Sequence, residues 1–234
     1  MHVVPGHKVH YYGTPVVLLS TRNADGSANL AAMSSAWWLG EFGMLGLGAS
    51  AHTSTNLLRE GEVVVNLVPA GMVATVDRIA LTTGADPIAP MRAEMGYVHV
   101  KDKFAHTGLT EQPSELVSPP RVLECPIQLE ARVVDHHVMK RNDRLISFEI
   151  EVLRAHVEED LVVPGTHYID ADAWDPLIMK FCEFYGEGRN LQSSRLAQAW
   201  NIPRRPLSHA SEASRSASDI PAGAGTGASS TSRG

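Results

Sequence analysis

The stretch 14–69 constrains the fold more than any other part of the chain, because it alternates strand-like runs with sharp turns. Residues 16–21 are mostly β-branched or apolar, and they end at Asn-Ala-Asp-Gly, residues 23–26, a sequence typical of a tight turn. A returning run over 27–33 completes a predicted β-hairpin. Residues 43–48 alternate glycine with Met or Leu, which predicts a strand whose backbone leaves room for a neighbouring group.

A short helix is predicted over 53–59, where this strand pattern ends. Thr53 takes the N-cap position, and Leu57 and Leu58 are expected on its buried side. Backbone N–H groups at the start of the helix, beside hydroxyl side chains such as that of Ser50, suit an anion such as phosphate. A capped helix without any ligand explains the same residues as well.

The rest of the chain continues the same mixture of short helices and strands. Apolar residues at three-and-four spacing predict a helix over 72–80, and a second short helix is expected within 88–97. Strands are predicted over 62–68, 121–137 and 145–153, the last from its regular alternation of apolar and polar residues. Six or more strands with one main helix and no repeated βαβ unit predict a fold that is mainly β, an antiparallel barrel.

The ordered motifs resemble the flavin reductase-like, FMN-binding split-barrel family. The resemblance rests on Asn-Ala-Asp-Gly-Ser-Ala-Asn-Leu-Ala-Ala-Met-Ser-Ser at 23–35, the Gly-rich strand, and His-Thr-x-x-Asn-Leu-Leu-x-x-Gly-Glu-Val-Val-Val-Asn-Leu at 52–67. It covers most of residues 10–190. The resemblance implies an antiparallel Greek-key split β-barrel with short helices, which we expect to occupy residues 1–203.

The resemblance also implies a flavin site. In that family the Asn-containing strand and the Ser-Ser loop line the flavin ring and ribityl chain, and the helix start holds the phosphate. FMN is the implied cofactor, with FAD as an alternative. The cofactor-binding residues carried over to this chain are Asn29, Met33, Ser34, Ser35, Ala36, Trp37, Ser50, His52, Thr53 and Asn56.

One position departs from the family pattern. Many members have Arg or Lys just before the helix threonine, whereas this chain has His52, the only candidate cation there. If a protonated His52 binds the phosphate, FMN affinity should fade as the pH rises above the ordinary histidine pKa of about 6.5. The rival hypothesis is that backbone N–H groups and the hydroxyls of Ser50 and Thr53 suffice.

By resemblance, the function is that of an NAD(P)H-dependent flavin reductase that supplies reduced flavin to a partner monooxygenase. Two alternatives remain, an FMN-holding electron-transfer or storage protein and an FMN-dependent enzyme of specialised metabolism. The chain has no Gly-x-Gly-x-x-Gly fingerprint, so NADH or NADPH would dock transiently over the flavin. Lys103 and Lys180 are candidate catalytic residues, and a homodimer is expected, with Trp37, Trp38 and Trp174 as apolar contact area.

Composition limits the classes of partner. The chain has 20 Lys plus Arg and 26 Asp plus Glu, a net charge of −6, and its basic residues are scattered, so no nucleic-acid partner is expected. No run of 18 apolar residues and no signal-peptide pattern is present, so a cytoplasmic protein without a membrane partner is expected.

Three other features of the sequence are interpreted as structural. His2, His7 and His10 have a spacing that fits no metal site, and no metal is expected. The two cysteines, Cys125 and Cys182, have no Cys-x-x-Cys partners, and both are interpreted as buried thiols. Residues 204–234 are mainly Ser, Ala and Gly, which predicts a disordered tail.

Overall fold

A computed structural model describes residues 1–186, 188–192 and 194–203 of the protein. Its strands are β1 (Tyr12–Pro15), β2 (Val17–Arg22), β3 (Ala28–Met33), β4 (Ala36–Leu39), β5 (Phe42–Gly48), β6 (Glu62–Leu67), β7 (Thr82–Thr83), β8 (Val98–His99), β9 (Glu111–Gln112), β10 (Arg121–Val122), β11 (Ile127–Val138), β12 (Leu145–Val157), β13 (Ile178–Lys180) and β14 (Glu183–Tyr185). Its helices are α1 (His52–Glu60), α2 (Val73–Ile79), α3 (Pro90–Glu94), α4 (Lys103–Thr107) and α5 (Arg195–Ala199), with 3₁₀ turns at Ala70–Met72 and Glu159–Leu161.

The main sheet has seven antiparallel strands in the order β3, β2, β6, β11, β12, β5, β4. The predicted hairpin is confirmed, since β2 pairs with β3 and the turn between them is closed by hydrogen bonds from Asn23 N to Ser27 O and from Gly26 N to Asn23 O. Gly26 has a φ of 82°, which glycine adopts without steric penalty. The segment between β5 and β6, which contains α1, crosses from one side of the sheet to the other.

Strand β2 is buried on both faces, because each face supports a separate hydrophobic core. Leu18 packs in a cluster with α2 and α4, whereas Leu19 packs with β11 and β12 in the barrel. Alternate residues of a strand point to opposite faces, so a strand between two cores must be apolar at nearly every position. This explains the uninterrupted run of apolar residues that begins the chain's most regular segment.

The first helix differs from its prediction at both ends. It begins at His52, its N-cap is Ala51, and no side chain caps it, so Thr53 is not the N-cap. Leu57 is 1% exposed as expected, but Leu58 is 51% exposed. Because the helix starts one residue earlier, Thr53 turns into the protein and Leu58 points outward.

Other elements agree with their predictions except near Pro126. The predicted helices over 72–80 and 88–97 are present as α2, with the preceding 3₁₀ turn, and as α3. The stretch 121–137 divides into β10 and β11, and β11 is central although Pro126 argued against that position. Pro126 precedes the first ladder residue of β11, so the missing N–H interrupts no strand pairing. Within the described residues no helix is long and apolar enough to span a membrane, and the predicted tail, 204–234, lies outside them.

A buried carboxylate fastens a loop to the sheet. Glu130 on β11 is 0% exposed, and its side-chain oxygens accept hydrogen bonds from the backbone N–H groups of Glu115, Leu116 and Val117. Its Oε1 also lies 2.7 Å from His156 Nε2. Burial alone would raise the pKa of Glu130, but these donors hold the pKa below its usual range. The ionised carboxylate therefore stabilises the fold.

We expect Glu130→Gln to lower the free energy of unfolding by about 2–4 kcal/mol at pH 7, since an amide cannot accept all the N–H groups that the carboxylate accepts. Because the folded state depresses the pKa, this stabilisation is present above the unfolded value of about 4.3 and is lost as the pH falls. Urea unfolding at pH 7 and pH 4 measures both effects. The exposed Glu151→Gln serves as control, and equal losses in the two variants at pH 7 would contradict the assignment.

Candidate functional site

A cavity of about 410 Å³ lies where the chain ends of several elements meet. Its walls come from the end of β3 and the loop after it, the end of β5, the start of α1, and the chain from the end of α2 to α4. Its size falls within the range of small-molecule sites. The cavity brings together these sequence-predicted residues: Met33, Ser34, Ser35, His52, Thr53 and Lys103.

Two predicted asparagines lie behind the cavity wall and hold α1 on the hairpin. Asn29 donates from Nδ2 to Thr21 Oγ1 at 3.1 Å and to Thr53 Oγ1 at 3.2 Å. Asn56 donates from Nδ2 to Thr21 Oγ1 and to Asn23 Oδ1, each at 3.0 Å. These polar groups are buried and satisfied by one another, so they position the helix start precisely where the cavity needs it.

Three predicted residues do not line the cavity. Ser50 is exposed, Ala36 is buried in the core beside β5, and Trp37 is 57% exposed on the edge strand β4. The candidate Lys180 also lies elsewhere, with its Nζ 3.3 Å from the ring centroid of Tyr185. Any contact of these side chains with a flavin stays a prediction.

His52 is held in a fixed and neutral state. Its Nε2 lies 2.8 Å from Asn23 Oδ1, an acceptor, so this nitrogen carries the proton. Burial, then the charges of Lys103, Arg59 and His99, lower the pKa of His52. The ring also packs against Gly84, where a Cβ would come within 2.6 Å of it. The histidine is therefore not the cation of the site.

Lys103 provides a buried positive charge. It is 3% exposed at the start of α4, and Nζ donates to Leu30 O at 2.8 Å and to Asn29 Oδ1 at 3.3 Å. Both acceptors are uncharged, and an ammonium group has a third donor. Burial and the charge of Arg92 lower the pKa of Lys103 to about 8. The lysine is thus charged at pH 7 and lacks a carboxylate partner in the described part of the chain.

A second cation was missed by the sequence reasoning. Arg92 of α3 lines the cavity, and its guanidinium carbon lies 5.1 Å from the ring centroid of Tyr97, which lines it too. The prediction that His52 is the only candidate cation is therefore wrong. Arg92 is about 40 residues away in sequence, and only the fold brings it to the helix start. Tyr11 and the exposed Cys182, which was expected to be buried, complete the wall on the other side.

The comparison with known proteins gives the family. A family model described as a flavin reductase-like domain matches residues 9–178. The chain belongs to the flavin reductase-like family. It is 37% identical over 184 residues to the protein YdfE of Bacillus subtilis (strain 168), which covers 79% of this chain and 88% of that protein.

Solved structures of this family share the fold. The flavoredoxin of Desulfovibrio vulgaris (Miyazaki F) matches with a TM-score of 0.68 and 23% identity, over 85% of this chain and 100% of the other. The nitrilotriacetate monooxygenase component B of Bacillus cereus matches with a TM-score of 0.64 and 19% identity, over 82% of this chain and 98% of the other. The predicted fold class, an antiparallel split β-barrel, is confirmed.

We expect the ε-amino group of Lys103 to titrate near pH 8, which NMR of the lysine side chains measures directly. Because its folded pKa is lower than the unfolded value of about 10.4, the unfolded chain binds the proton more tightly between these values. The free energy of unfolding should therefore rise with pH over that interval, and Lys103→Met should remove this slope. A titration midpoint near 10.4 would show that the group is not desolvated.

Proposed function

We propose that the protein binds FMN in the cavity and catalyses NAD(P)H-dependent reduction of flavin. The observation that carries the proposal is the charge of the cavity in a chain of this family. Its wall contains Lys103 and Arg92 and no Asp or Glu. An oxidised flavin ring is uncharged, so the phosphate is the part of FMN that such a wall would attract.

The residues of the cavity fit a flat ring with a charged tail. Gly46 and Gly48 of β5 line it, and a Cβ on Gly46 would come within 3.1 Å of Ser35 Cβ. The absent side chains let the Ser-Ser loop approach the strand and leave open space in the cavity. Ser34 and Ser35 offer hydroxyl groups for hydrogen bonding, while Met33 and Leu47 offer apolar contact.

The flavin itself would supply hydride chemistry, and the protein would bind and orient it. The roles of this chain's residues are then electrostatic. The ammonium of Lys103, held by Leu30 O and Asn29 Oδ1, would stabilise negative charge on the bound molecule. No general acid or base is required from the wall. The nicotinamide coenzyme, NADH or NADPH, would dock transiently, since no dinucleotide-binding fingerprint is present.

The first experiment is a flavin titration followed by steady-state assays. We expect FMN to quench on binding, and flavin-dependent oxidation of NADH or NADPH to follow. Lys103→Gln should weaken FMN by about 10- to 100-fold, because a charge-assisted hydrogen bond contributes about 1.5–3 kcal/mol. Lys101→Gln is the matched control, since Lys101 is exposed and pairs with Asp25.

The outcomes separate the candidate functions. Absence of flavin binding at micromolar concentrations would overturn the proposal. Binding without any turnover would favour an electron-transfer or storage protein. Turnover would leave open which acceptor takes the reduced flavin, and we propose a partner monooxygenase, in keeping with the likeness to a monooxygenase component B. FAD is tested in the same titration.

We propose further that the protein is a homodimer. The edge strand β4 carries Trp37 and Leu39, which are 57% and 76% exposed, and Phe42 of β5 is also exposed. An edge strand with large apolar side chains is a ready surface for another chain. Trp38 and Trp174 are half-buried in the single chain and add less to this surface than expected.

Light scattering tests the dimer. A chain of 25.3 kDa should give twice that mass, and Leu39→Lys should shift the protein toward monomer, because it places a charge in the apolar contact. Leu191→Lys is the control, since Leu191 is 82% exposed and lies outside the sheet. A monomer mass for the wild type, or equal dissociation of both variants, would contradict the proposed interface.

A further inference from the structure

The segment 81–100 forms one side of the cavity. It connects α2 to the turn before α4 and contains β7, α3 and β8. Its residues in the wall are Leu81, Thr82, Thr83, Arg92 and Tyr97. Two hydrogen bonds, Val98 N to Leu81 O and Val100 N to Thr83 O, join its two ends. The segment is therefore a closed loop with a fixed base, and α3 is held above the cavity.

Arg92 reaches from this segment toward the start of α1. A Cβ built on Gly48 would lie 3.6 Å from Arg92 Nη2, and Gly48 stands three residues before the N-cap Ala51. Gly48 O accepts hydrogen bonds from Ala51 N and Ser54 Oγ, so its position relative to the helix is fixed. The guanidinium is thus placed at the same end of the cavity as the helix start.

Lys103 approaches that end from another side. Its Nζ bonds Asn29 Oδ1, and Asn29 Nδ2 in turn bonds Thr53 Oγ1 in the first turn of α1. Two cations therefore converge on one end of the cavity, and their mutual repulsion contributes to the lowered pKa of Lys103. Within the described residues neither has a carboxylate within 4.0 Å. An anion between them would relieve the repulsion.

We propose that Arg92 is the specificity-determining residue for a phosphate monoester, and that together with Lys103 it selects FMN over uncharged riboflavin. This inference rests on the proposed flavin site. Arg92 supplies, from the 81–100 segment, the cation that the sequence lacks at the helix start. A guanidinium presents paired N–H donors that match two phosphate oxygens. Tyr97 lies under the guanidinium and restricts its motion, so less freedom is lost on binding.

The test compares FMN with riboflavin by fluorescence titration at pH 7. For Arg92→Gln we expect FMN to weaken by about 10- to 100-fold and riboflavin by less than about threefold. The matched control is Arg132→Gln, which removes the same charge from an exposed position on β11. Arg92→Lys should restore FMN affinity only in part, because an ammonium lacks the paired donors.

A second measurement needs no variant. In the wild-type protein, FMN affinity should fall as NaCl rises from 50 to 500 mM, roughly by the screening of a charged contact, while riboflavin affinity should change little. Equal losses for both ligands in Arg92→Gln, or the same salt dependence for both in the wild type, would overturn the role of Arg92 and leave the flavin site intact. If the wild type binds neither FMN nor riboflavin, the proposed function itself fails.

Discussion

The buried side chain of Asn29 connects the parts of the protein that form the candidate site. Its Nδ2 donates to Thr21 of β2 and to Thr53 of α1, and its Oδ1 accepts from Lys103 of α4. The amide thus joins the hairpin, the helix start and the buried ammonium in one network. Each of these polar groups would be costly to bury without its partners, so the network fixes three elements relative to one another.

The electrostatics of the cavity follow from that arrangement. A lysine that is 3% exposed and bonded to neutral oxygens keeps its charge with difficulty, and a guanidinium nearby adds to the difficulty. Such a pair is unfavourable in an empty protein and favourable when an anion is present. This is the physical reason for assigning the cavity to a phosphorylated ligand, and it places the positive charge on Lys103 and Arg92 while His52 stays neutral.

Much of the fold could be predicted from the sequence because the signals were local. The turn at 23–26, the alternation over 145–153 and the glycine after α1 each depend on a few adjacent residues, and each is present in the structure. The details that failed depend on the third dimension. Thr53 has the composition of an N-cap, but its hydroxyl is accepted by Asn29 instead, which moves the helix start to His52.

The sequence by itself determined the strand order of the first hairpin, the family resemblance and the Ser-Ser loop beside the helix start, because these are runs of neighbouring residues. Only the tertiary structure decided which charges share the cavity. Arg92 and Lys103 come to Thr53 from 39 and 50 positions further along the chain, by the folding of the 81–100 segment over β3 and β5. Burial and charge–charge repulsion act through space, so neither the neutral state of His52 nor the lowered pKa of Lys103 can be read from spacing.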